Sequence, residues 1–369
     1  MSRVYVGMSG GVDSSLTAAL LKEQGYDVTG VYMKNWTQDL PGMKCPWADE
    51  LADAKRVAVQ LGIDFKVFDF EAEYKQKVVD YMVQEYSAGR TPNPDIMCNQ
   101  EVKFKLFLEA ALEDGADLIA TGHYATVQAG LTPPLDPEVN SEAAPHPLKA
   151  VRGARLLQAK DSNKDQTYFL YRVTESALEK TLFPLGEFTK PEVRQMAEDR
   201  GLYTAGKKDS QGICFVGQIG MREFLSQYVD TKAGSIIDQR TGDVLGQHDG
   251  AIFYTLGQRH GLDVGGGLPY YVVGKSMDKN EVYVTTDLNN ENLWRKTINL
   301  ANVHWINGRP DEASYMIRVR HRAKLVEASL KQTDNGVELL LKDAERAVTP
   351  GQSVVIYDGA ICLGGGIVV

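Results

Sequence analysis

Three stretches of the chain place an acidic residue beside glycines or a cysteine, in patterns that can do chemistry. They read SGGVDSS at residues 9–15, NPDIMCN at residues 93–99 and KKDSQGICF at residues 207–215. A glycine-rich loop at the start of a helix binds anions, because glycine lets a ligand approach the backbone and the helix end presents free N–H groups. Cysteines beside lysine or at a helix start are activated thiols. We therefore expect the chain to combine anion binding with thiol chemistry.

The glycine-rich stretch lies where a phosphate cradle is expected. It follows a predicted strand at 3–8 and precedes a predicted helix at 16–23, which Ser14 or Ser15 can cap. It is neither a Walker A loop, which needs GxxxxGK[ST], nor the GxGxxG of dinucleotide-binding folds. Two glycines alone would fit a tight turn without a ligand equally well. The complete SGGVDS string favours phosphate binding.

Cys98 has surroundings that suit reactivity. Pro92 and Pro94 are expected to hold Asp95 and Cys98 on a rigid turn that leads into a helix from Glu101. A thiol at a helix N-terminus has a lowered pKa, and a nearby carboxyl group can move protons. The alternative is a buried, inert cysteine, the commonest fate of this residue, which the polar neighbours of Cys98 disfavour.

Cys214 follows Lys207 and Lys208, which suits an exposed and activated thiol, although a core position within Ile-Cys-Phe is a real alternative. Cys45 and Cys362 are predicted to be structural. No CxxC pattern occurs, so a zinc ribbon or iron–sulfur site has no support and no metal ligands are predicted. Four cysteines and no visible signal peptide indicate a reducing, cytoplasmic environment.

Strands and helices alternate through the first third of the chain. Such alternation is typical of βαβ units around a parallel sheet, whose ligands bind beyond the carboxyl ends of the strands. Met33 and the pair Gly122–His123 come at strand ends and are expected at this edge, although a lone histidine is as often structural there. The predicted strands are 3–8, 28–33, 65–70 and 118–121, and the predicted helices are 16–23, 48–61, 73–86, 101–113 and 190–200.

The chain becomes β-rich after about residue 234, with short Val, Ile and Tyr runs between Gly, Asn and Asp turns. We predict an α/β domain over 1–217, a small central α+β domain over 218–286 and a C-terminal β-barrel over 287–369. A proline-rich segment at 132–147 is expected to be a surface loop inserted in the first domain. No run approaches the length of a membrane span.

The net charge of −9 argues against nucleic-acid binding only when it is averaged over the chain. Residues 1–120 hold 12 Lys and Arg against 19 Asp and Glu, so most of the excess acid lies in the first third. Residues 149–172 contain six basic and two acidic residues, and 317–324 reads IRVRHRAK. On a strand, the alternating basic residues of this second run would share one face. That face is either an RNA contact or a charged edge strand that resists aggregation.

Seven motifs resemble those of tRNA-specific 2-thiouridylases, the MnmA/TrmU family of PP-loop ATP pyrophosphatases with an adenine nucleotide alpha hydrolase-like fold. The resemblance covers essentially the whole chain. Its departures, at 132–147 and 265–269, touch no motif. In chain order the motifs are GMSGGVDSS, GRTPNPDIMCN, ATGHYA, DSNKDQTYFL, KKDSQGICFVG, TLGQRHGL and TPGQSVVIYDG.

The resemblance implies an ATP-dependent replacement of O2 by sulfur in the wobble uridine of tRNA. ATP, with Mg²⁺, would adenylate O2 and release pyrophosphate. Cys214 would carry a persulfide, and Cys98 would assist sulfur release and could form a disulfide with Cys214. Asp95 would act as acid or base beside the target base, held with Asn93 and Pro94.

The resemblance also assigns two binding sets and several partners. Expected partners are tRNAs for Lys, Glu and Gln and a cysteine desulfurase or relay protein, with the chain itself a monomer that binds no membrane. The ATP-binding set is Gly7, Met8, Ser9, Gly10, Gly11, Val12, Asp13, Ser14, Met33 and Gly122. The tRNA-binding set is His123, Lys164, Asp165, Gln166, Arg320, His321 and Gln352.

Two other classes of protein share part of the pattern. An amide ligase or synthetase of the PP-loop class would use the loop but needs no cysteine pair and no basic strand. A non-catalytic RNA- or nucleotide-binding protein would have no use for Asp95, Cys98 and Cys214 together. The products formed on tRNA distinguish all three.

Overall fold

The computed structural model describes residues 1–39, 45–128, 153–208, 220–265 and 267–369. The predicted insertion at 132–147 and Cys214 lie outside the described residues. In these ranges no helix is both long enough and apolar enough to cross a membrane.

A parallel sheet forms the centre of the α/β domain. Within the described residues its strands are β1 (Arg3–Gly7), β2 (Asp27–Lys34), β3 (Asp64–Asp69), β4 (Leu118–Ala120) and β7 (Thr181–Leu182). Their order is β3-β2-β1-β4-β7, so the order reverses beside β1 and the switch point lies between β1 and β4. Val4 and Val6 of β1 are fully buried, as expected for a parallel strand covered on both faces.

Glycine positions set the ends of the first two helices. Helix α1 (Val12–Glu23) begins four residues before the predicted start, because Gly11 is its N-cap and Ser15 turns its hydroxyl back to the Gly11 carbonyl at 2.8 Å. Helix α2 (Trp47–Leu61) ends, as predicted, at Gly62, which has a φ of +59°.

Two longer helical segments contain π-helical turns. The first runs through α3 (Glu71–Tyr74), a π-helix (Lys75–Asp80) and α4 (Tyr81–Ser87), and the second through α5 (Pro94–Met97), a π-helix (Cys98–Leu106) and α6 (Phe107–Glu113). The prediction that the second begins at Glu101 is wrong. Asn93 caps it by accepting from the N–H groups of Asp95 and Ile96, and proline is favoured in a first turn.

Among the described residues the remaining α-helices are short, apart from one that packs near the loop after β1. They are α7 (Thr167–Leu170), α8 (Glu175–Leu178), α9 (Lys190–Asp199) and α10 (Met221–Leu225). Helix α9 begins where predicted and has a complete capping box between Thr189 and Glu192.

The described central region forms a four-stranded sheet in the order β10-β11-β8-β9. A closed antiparallel barrel of six described strands follows, in the order β12-β15-β14-β13-β16-β17, with β17 pairing back to β12. The central strands are β8 (Gly234–Asp238), β9 (Val244–His248), β10 (Tyr271–Ser276) and β11 (Glu281–Thr285). The barrel strands are β12 (Trp294–Trp305), β13 (Ser314–Arg318), β14 (Val326–Thr333), β15 (Gly336–Arg346), β16 (Ser353–Asp358) and β17 (Ile361–Val368).

The α/β domain and the barrel share strands and a core. Strands β5 (Thr126–Gln128) and β6 (Arg155–Leu157) of the α/β domain pair with each other, and β6 extends the barrel sheet beside β17. Tyr171, Leu156 and Tyr357 lie in one continuous hydrophobic cluster. The position of the barrel relative to the α/β domain is therefore fixed by backbone hydrogen bonds and by packing.

The basic run at 317–324 does not form the predicted strand. Strand β13 ends at Arg318, the chain then bends, and Arg322 has a φ of +63°, in the left-handed region. The alternating positions therefore do not share one face. Arg318 points inward and is buried, whereas Arg320 and Arg322 lie in the turn after the strand.

Candidate active site and RNA-binding surface

The glycine-rich loop joins the end of β1 to α1 at the switch point of the sheet. Gly10 has a φ of +70°, and a Cβ there would lie 2.4 Å from the carbonyl oxygen of Glu50, so only glycine fits. The N–H group of Ser9 donates to the hydroxyl of Ser14 at 3.2 Å. The backbone thereby curls around the free N–H groups of the helix start. The loop has the geometry that an anion-binding cradle requires.

Other members of the predicted nucleotide set lie at the same edge. Met33, near the end of β2, reaches across the sheet, with its Cε 3.0 Å from the position that a Cβ on Gly7 would take. Met8 and Val12 are buried, so they can offer a ligand only their backbone. This edge is where a doubly wound sheet binds its ligands.

Asp13, in the first turn of α1, is held by groups from two other segments. Its carboxylate accepts from the Lys190 ammonium at 2.7 and 2.8 Å and from the Tyr124 hydroxyl at 2.9 Å. Gly122 lies so close that a Cβ there would be 2.8 Å from the backbone of Asp13 and Ser14. Lys190 and Tyr124 are absent from the predicted set, because nothing local to either residue marks it as part of this loop.

The segment that leads to Cys214 is attached to the same loop. Lys207 donates to the carbonyl oxygen of Gly10 at 3.0 Å and to the carboxylate of Asp53 at 2.8 Å. Cys214 itself lies outside the described residues. The chain thus approaches Cys214 from a lysine that touches the phosphate cradle.

Asp95 and Cys98 lie on the Asn93-capped helix, one turn apart. Cys98 is in its second turn and buried, not at its N-terminus as predicted, because the helix begins earlier than expected. Next to it, buried Asn99 donates to the carbonyl oxygen of Phe169 at 3.1 Å, while its Oδ1 finds no hydrogen-bond partner among the described residues. Asp95 and Cys98 therefore lie on one rigid helix.

The body of this helix packs on the loop end of the sheet. The ring of Phe107 lies 3.6 Å from where a Cβ on Gly7 would be, and the ring centroid of Phe104 lies 5.7 Å from that of His123. Rigid packing of this kind holds Cys98 and Asp95 at a fixed distance from the phosphate cradle.

His123 is buried in the described structure. Its Nδ1 lies 2.7 Å from the Thr121 hydroxyl, and its ring packs against Phe104 and Phe183. Burial, with a smaller contribution from Lys103, holds the pKa of His123 well below the ordinary histidine value. The imidazole is therefore neutral at pH 7 and supplies no charge for a phosphate.

The segment Lys164–Gln166 connects structural elements. Asp165 is almost fully buried and accepts from Arg318 at 2.8 Å and from the Thr167 hydroxyl at 2.9 Å. Gln166 exchanges hydrogen bonds with the backbone of Tyr124, each at 2.9 Å. In this structure the side chain of Asp165 orients Arg318 of the barrel and does not reach the surface.

A turn of the barrel touches the segment that precedes Asn93. The N–H group of Thr91 donates to the carbonyl oxygen of Pro350 at 2.9 Å, and Gly351, with a φ of +90°, has no room for a Cβ beside Thr91. Gln352 follows in this turn and is half-buried, with its Oε1 unpaired among the described residues. Two motifs about 260 residues apart thus meet at Thr91, four residues before Asp95 in the chain.

An open groove of about 450 Å³ lies between the central sheet and the barrel. Arg320 donates to the carbonyl oxygens of Arg346 and Ala347 at its edge, and the Arg346 guanidinium lies 4.5 Å from the ring centroid of Tyr271. Three arginines and one glutamate, Glu345, are the charged side chains that line the groove. Its lining includes Arg320, His321, Arg322, Arg346 and Tyr271.

The environment of His321 predicts that the folding stability of the protein depends measurably on pH. Burial, aided by Arg322 and Arg318, lowers the pKa of His321 to about 4. In the unfolded chain the histidine pKa is near 6.5, so between pH 6.5 and pH 4 the unfolded state binds more protons than the folded state does. The contribution of His321 to folding stability is therefore complete above pH 6.5 and is lost as the pH falls towards 4. We expect His321→Gln to flatten the loss of stability between pH 6.5 and pH 4, measured by urea unfolding across that range. An unchanged profile would show that His321 is protonated as easily in the folded protein.

No group of three His, Cys, Asp or Glu side chains that could hold a metal ion occurs among the described residues. Both oxygens of the Asp13 carboxylate are already engaged by Lys190.

Comparison with known proteins gives full-length matches. Three family models match in series: the tRNA methyl transferase HUP domain at residues 2–218, the tRNA methyl transferase PRC-barrel domain at 222–286 and the aminomethyltransferase beta-barrel domain at 295–368. The chain is 46% identical to tRNA-specific 2-thiouridylase MnmA 2 of Geobacillus kaustophilus over 369 residues, and 45% identical to tRNA-specific 2-thiouridylase MnmA of Bacillus subtilis over 370 residues. Each match covers 99% of this chain and 94% of the relative.

One of the solved structures shows a distant likeness to this chain. A 4-thiouridine synthetase–RNA complex with bound ATP is 16% identical and covers 61% of this chain and 50% of its own, with a TM-score of 0.37. A score this low carries no argument about function.

The chain has a parallel sheet with an anion-binding loop at its switch point, followed by two β-rich regions. These features define a PP-loop α/β protein with a central sheet and a C-terminal barrel. The relatives narrow this class further. The chain belongs to the tRNA-specific 2-thiouridylase family.

Proposed function

We propose that this protein makes 2-thiouridine in tRNA by adenylating O2 of the wobble uridine and then replacing it with sulfur from a cysteine persulfide. One observation carries the proposal: the Asn93-capped helix that bears Asp95 and Cys98 packs directly on the sheet end that holds the phosphate loop. Membership of the 2-thiouridylase family supports it over the whole chain.

In the first step, ATP lies with its phosphates in the loop at residues 7–14, and Met33 and Gly122 line the site. O2 of the uridine attacks the α-phosphorus, and the bond to the bridging oxygen breaks so that pyrophosphate leaves with the electron pair. Asp95 accepts the proton from N3 as O2 becomes the nucleophile. The loop N–H groups stabilise the charge that develops on the phosphates.

Mg²⁺ accompanies the nucleotide in this proposal. The ion would be held chiefly by phosphate oxygens and water, as Mg²⁺ prefers. When bound it would neutralise phosphate charge. The protein's own contribution is the loop backbone and the helix start.

In the second step, the terminal sulfur of a Cys214 persulfide attacks C2, and AMP leaves with the electrons of the C2–O2 bond. The Cys98 thiolate then attacks the Cys214 sulfur, and the sulfur–sulfur bond breaks with its electron pair going to the sulfur on C2. N3 then recovers its proton from Asp95, which completes the 2-thio group, and the Cys98–Cys214 disulfide that remains is reset by a cellular dithiol reductant. Because Cys98 is buried in the described structure, this step requires local opening around it.

The tRNA binds along the barrel side of this site. A single anticodon base must leave its stack to be modified, so the remaining RNA is held through phosphates. The groove at Arg320 and His321, together with Lys164 and the Gln352 turn beside Thr91, is the proposed surface. The proposal includes tRNAs for Lys, Glu and Gln, a cysteine desulfurase or relay protein as donor, a monomeric enzyme and a cytoplasmic location.

Arg320→Ala is expected to weaken tRNA binding about tenfold and to make log Kd less steeply dependent on log salt, because one phosphate contact is lost. Filter binding at several salt concentrations measures both. Lys342→Ala, which removes an exposed barrel lysine paired with Glu327, is the control and should change neither. An unchanged salt slope for Arg320→Ala would mean that this arginine serves only to hold the Arg346 and Ala347 carbonyls.

Nucleoside analysis of tRNA from cells that lack this protein tests the function. Loss of 2-thiouridine derivatives, restored by the wild-type chain, is the expected result. Mass spectrometry also separates the exchange of oxygen for sulfur from the addition of a methyl group, which the description of the matched family model would suggest. Unchanged 2-thiouridine would overturn the proposal.

A further inference from the structure

Lys190 is a buried cation at the edge of the phosphate loop. Its side chain is 10% exposed, and its ammonium contacts both carboxylate oxygens of Asp13, which is itself one-third exposed. The ammonium also lies 5.8 Å from the ring centroid of Tyr124. Removing a lysine from water costs several kcal/mol that an ion pair recovers only partly, so such a pair is weak support for a purely stabilising role.

Three anchors direct this ammonium at the loop. The capping box of Thr189 fixes the start of α9, and the N–H group of Lys190 donates to Asp161 at 2.9 Å. Asp13 then fixes the far end of the side chain beside the first turn of α1. The lysine is therefore held in place before any ligand arrives.

We propose that Lys190 binds the pyrophosphate portion of ATP and stabilises the pyrophosphate that leaves. This inference rests on the proposed function, in which the loop holds the phosphates of ATP. The loop offers N–H dipoles, whereas the leaving group carries full negative charge that increases as the bond to the α-phosphorus breaks. The attraction between a preorganised ammonium at that position and the leaving pyrophosphate is stronger in the transition state than in the ground state.

The test measures binding of inorganic pyrophosphate and of ATP, by calorimetry, to the full chain and its variants. We expect Lys190→Met to weaken pyrophosphate binding about tenfold or more, the loss typical of a charge-assisted hydrogen bond, and Lys190→Arg to recover part of it. Lys160→Met is the matched control. It removes another lysine that pairs with α9, at Glu192, on the exposed side, and should leave pyrophosphate binding unchanged.

The double variant Asp13→Asn/Lys190→Met removes both charges, so no lone carboxylate is left beside the loop. It should bind pyrophosphate as weakly as Lys190→Met, and its unfolding temperature should show that it is folded. Restored binding in the double variant would overturn the inference, because the lysine would then only neutralise Asp13. Native pyrophosphate binding in Lys190→Met would also overturn it while leaving the proposed function intact. A wild-type chain that binds neither ATP nor pyrophosphate would overturn both.

Discussion

Cys214→Ser is expected to abolish 2-thiouridine formation while leaving ATP-dependent adenylation of tRNA intact. Serine cannot carry a sulfane sulfur, whereas in the mechanism that we propose the phosphate loop and Asp95 act before sulfur transfer. Pyrophosphate release in the presence of tRNA should therefore continue, and mass spectrometry of digested tRNA should show no 2-thiouridine. The rate of 2-thiouridine formation should fall by about a thousandfold or more, as it does when other covalent enzymes lose their nucleophile.

The matched control for this variant is Cys45→Ser. Cys45 is buried, with its sulfur 3.6 Å from the carbonyl oxygen of Trp36, and burial raises the pKa of its thiol, so it is not an activated nucleophile. This variant should keep both activities. If Cys214→Ser still thiolates tRNA with the same sulfur donor, the sulfur travels on another group and the persulfide step is wrong.

The second large effect concerns the ion pair that joins the α/β domain to the barrel. Arg318→Met is expected to destabilise the barrel by about 3–5 kcal/mol, because it leaves the buried carboxylate of Asp165 without its cation. The guanidinium also lies 5.5 Å from the ring centroid of Tyr357, and the uncharged methionine cannot make this cation–π contact. Urea unfolding followed by tryptophan fluorescence, to which Trp294 and Trp305 at the two ends of β12 contribute, measures this loss.

Two further variants separate charge from packing. Asp165→Asn/Arg318→Met should recover much of the lost stability, since neither charge remains buried. Lys342→Met, which breaks an exposed pair with Glu327 on the same barrel, should change the free energy of unfolding far less than Arg318→Met does. Equal effects of Arg318→Met and Lys342→Met would mean that water reaches Asp165 and that the pair does not hold the barrel in place.

The sequence predicted the fold class because its pattern is local. Apolar runs of about five residues separated by amphipathic helices specify a parallel sheet, and Gly62 marks a helix end by its left-handed conformation. The shift to short β runs after residue 234 likewise predicted the barrel. These signals depend on neighbours within a few residues, so they can be read without the rest of the chain.

The errors come where a local signal competes with another. The helix at Pro94 was predicted to begin at Glu101, because prolines were interpreted as a turn, whereas Asn93 and Pro94 are a helix start. The basic run at 317–324 was predicted as a strand face, whereas Arg318 is drawn inside by Asp165, more than 150 residues earlier. In the first case the Asn93 cap outweighs the turn pattern of the prolines, and in the second the buried partner Asp165 outweighs the alternating pattern of basic residues.

The sequence by itself predicted the chemistry that we propose, in which a phosphate loop at residues 7–14 acts with Asp95, Cys98 and Cys214, and it predicted the class of enzyme. Only the tertiary structure decided which residues support that chemistry. Lys190 and Tyr124 meet Asp13 from more than 100 residues away, and Pro350 meets Thr91 from the other end of the chain. Such contacts follow from how the sheet and the barrel pack together, and packing leaves no mark in the spacing of residues along the chain.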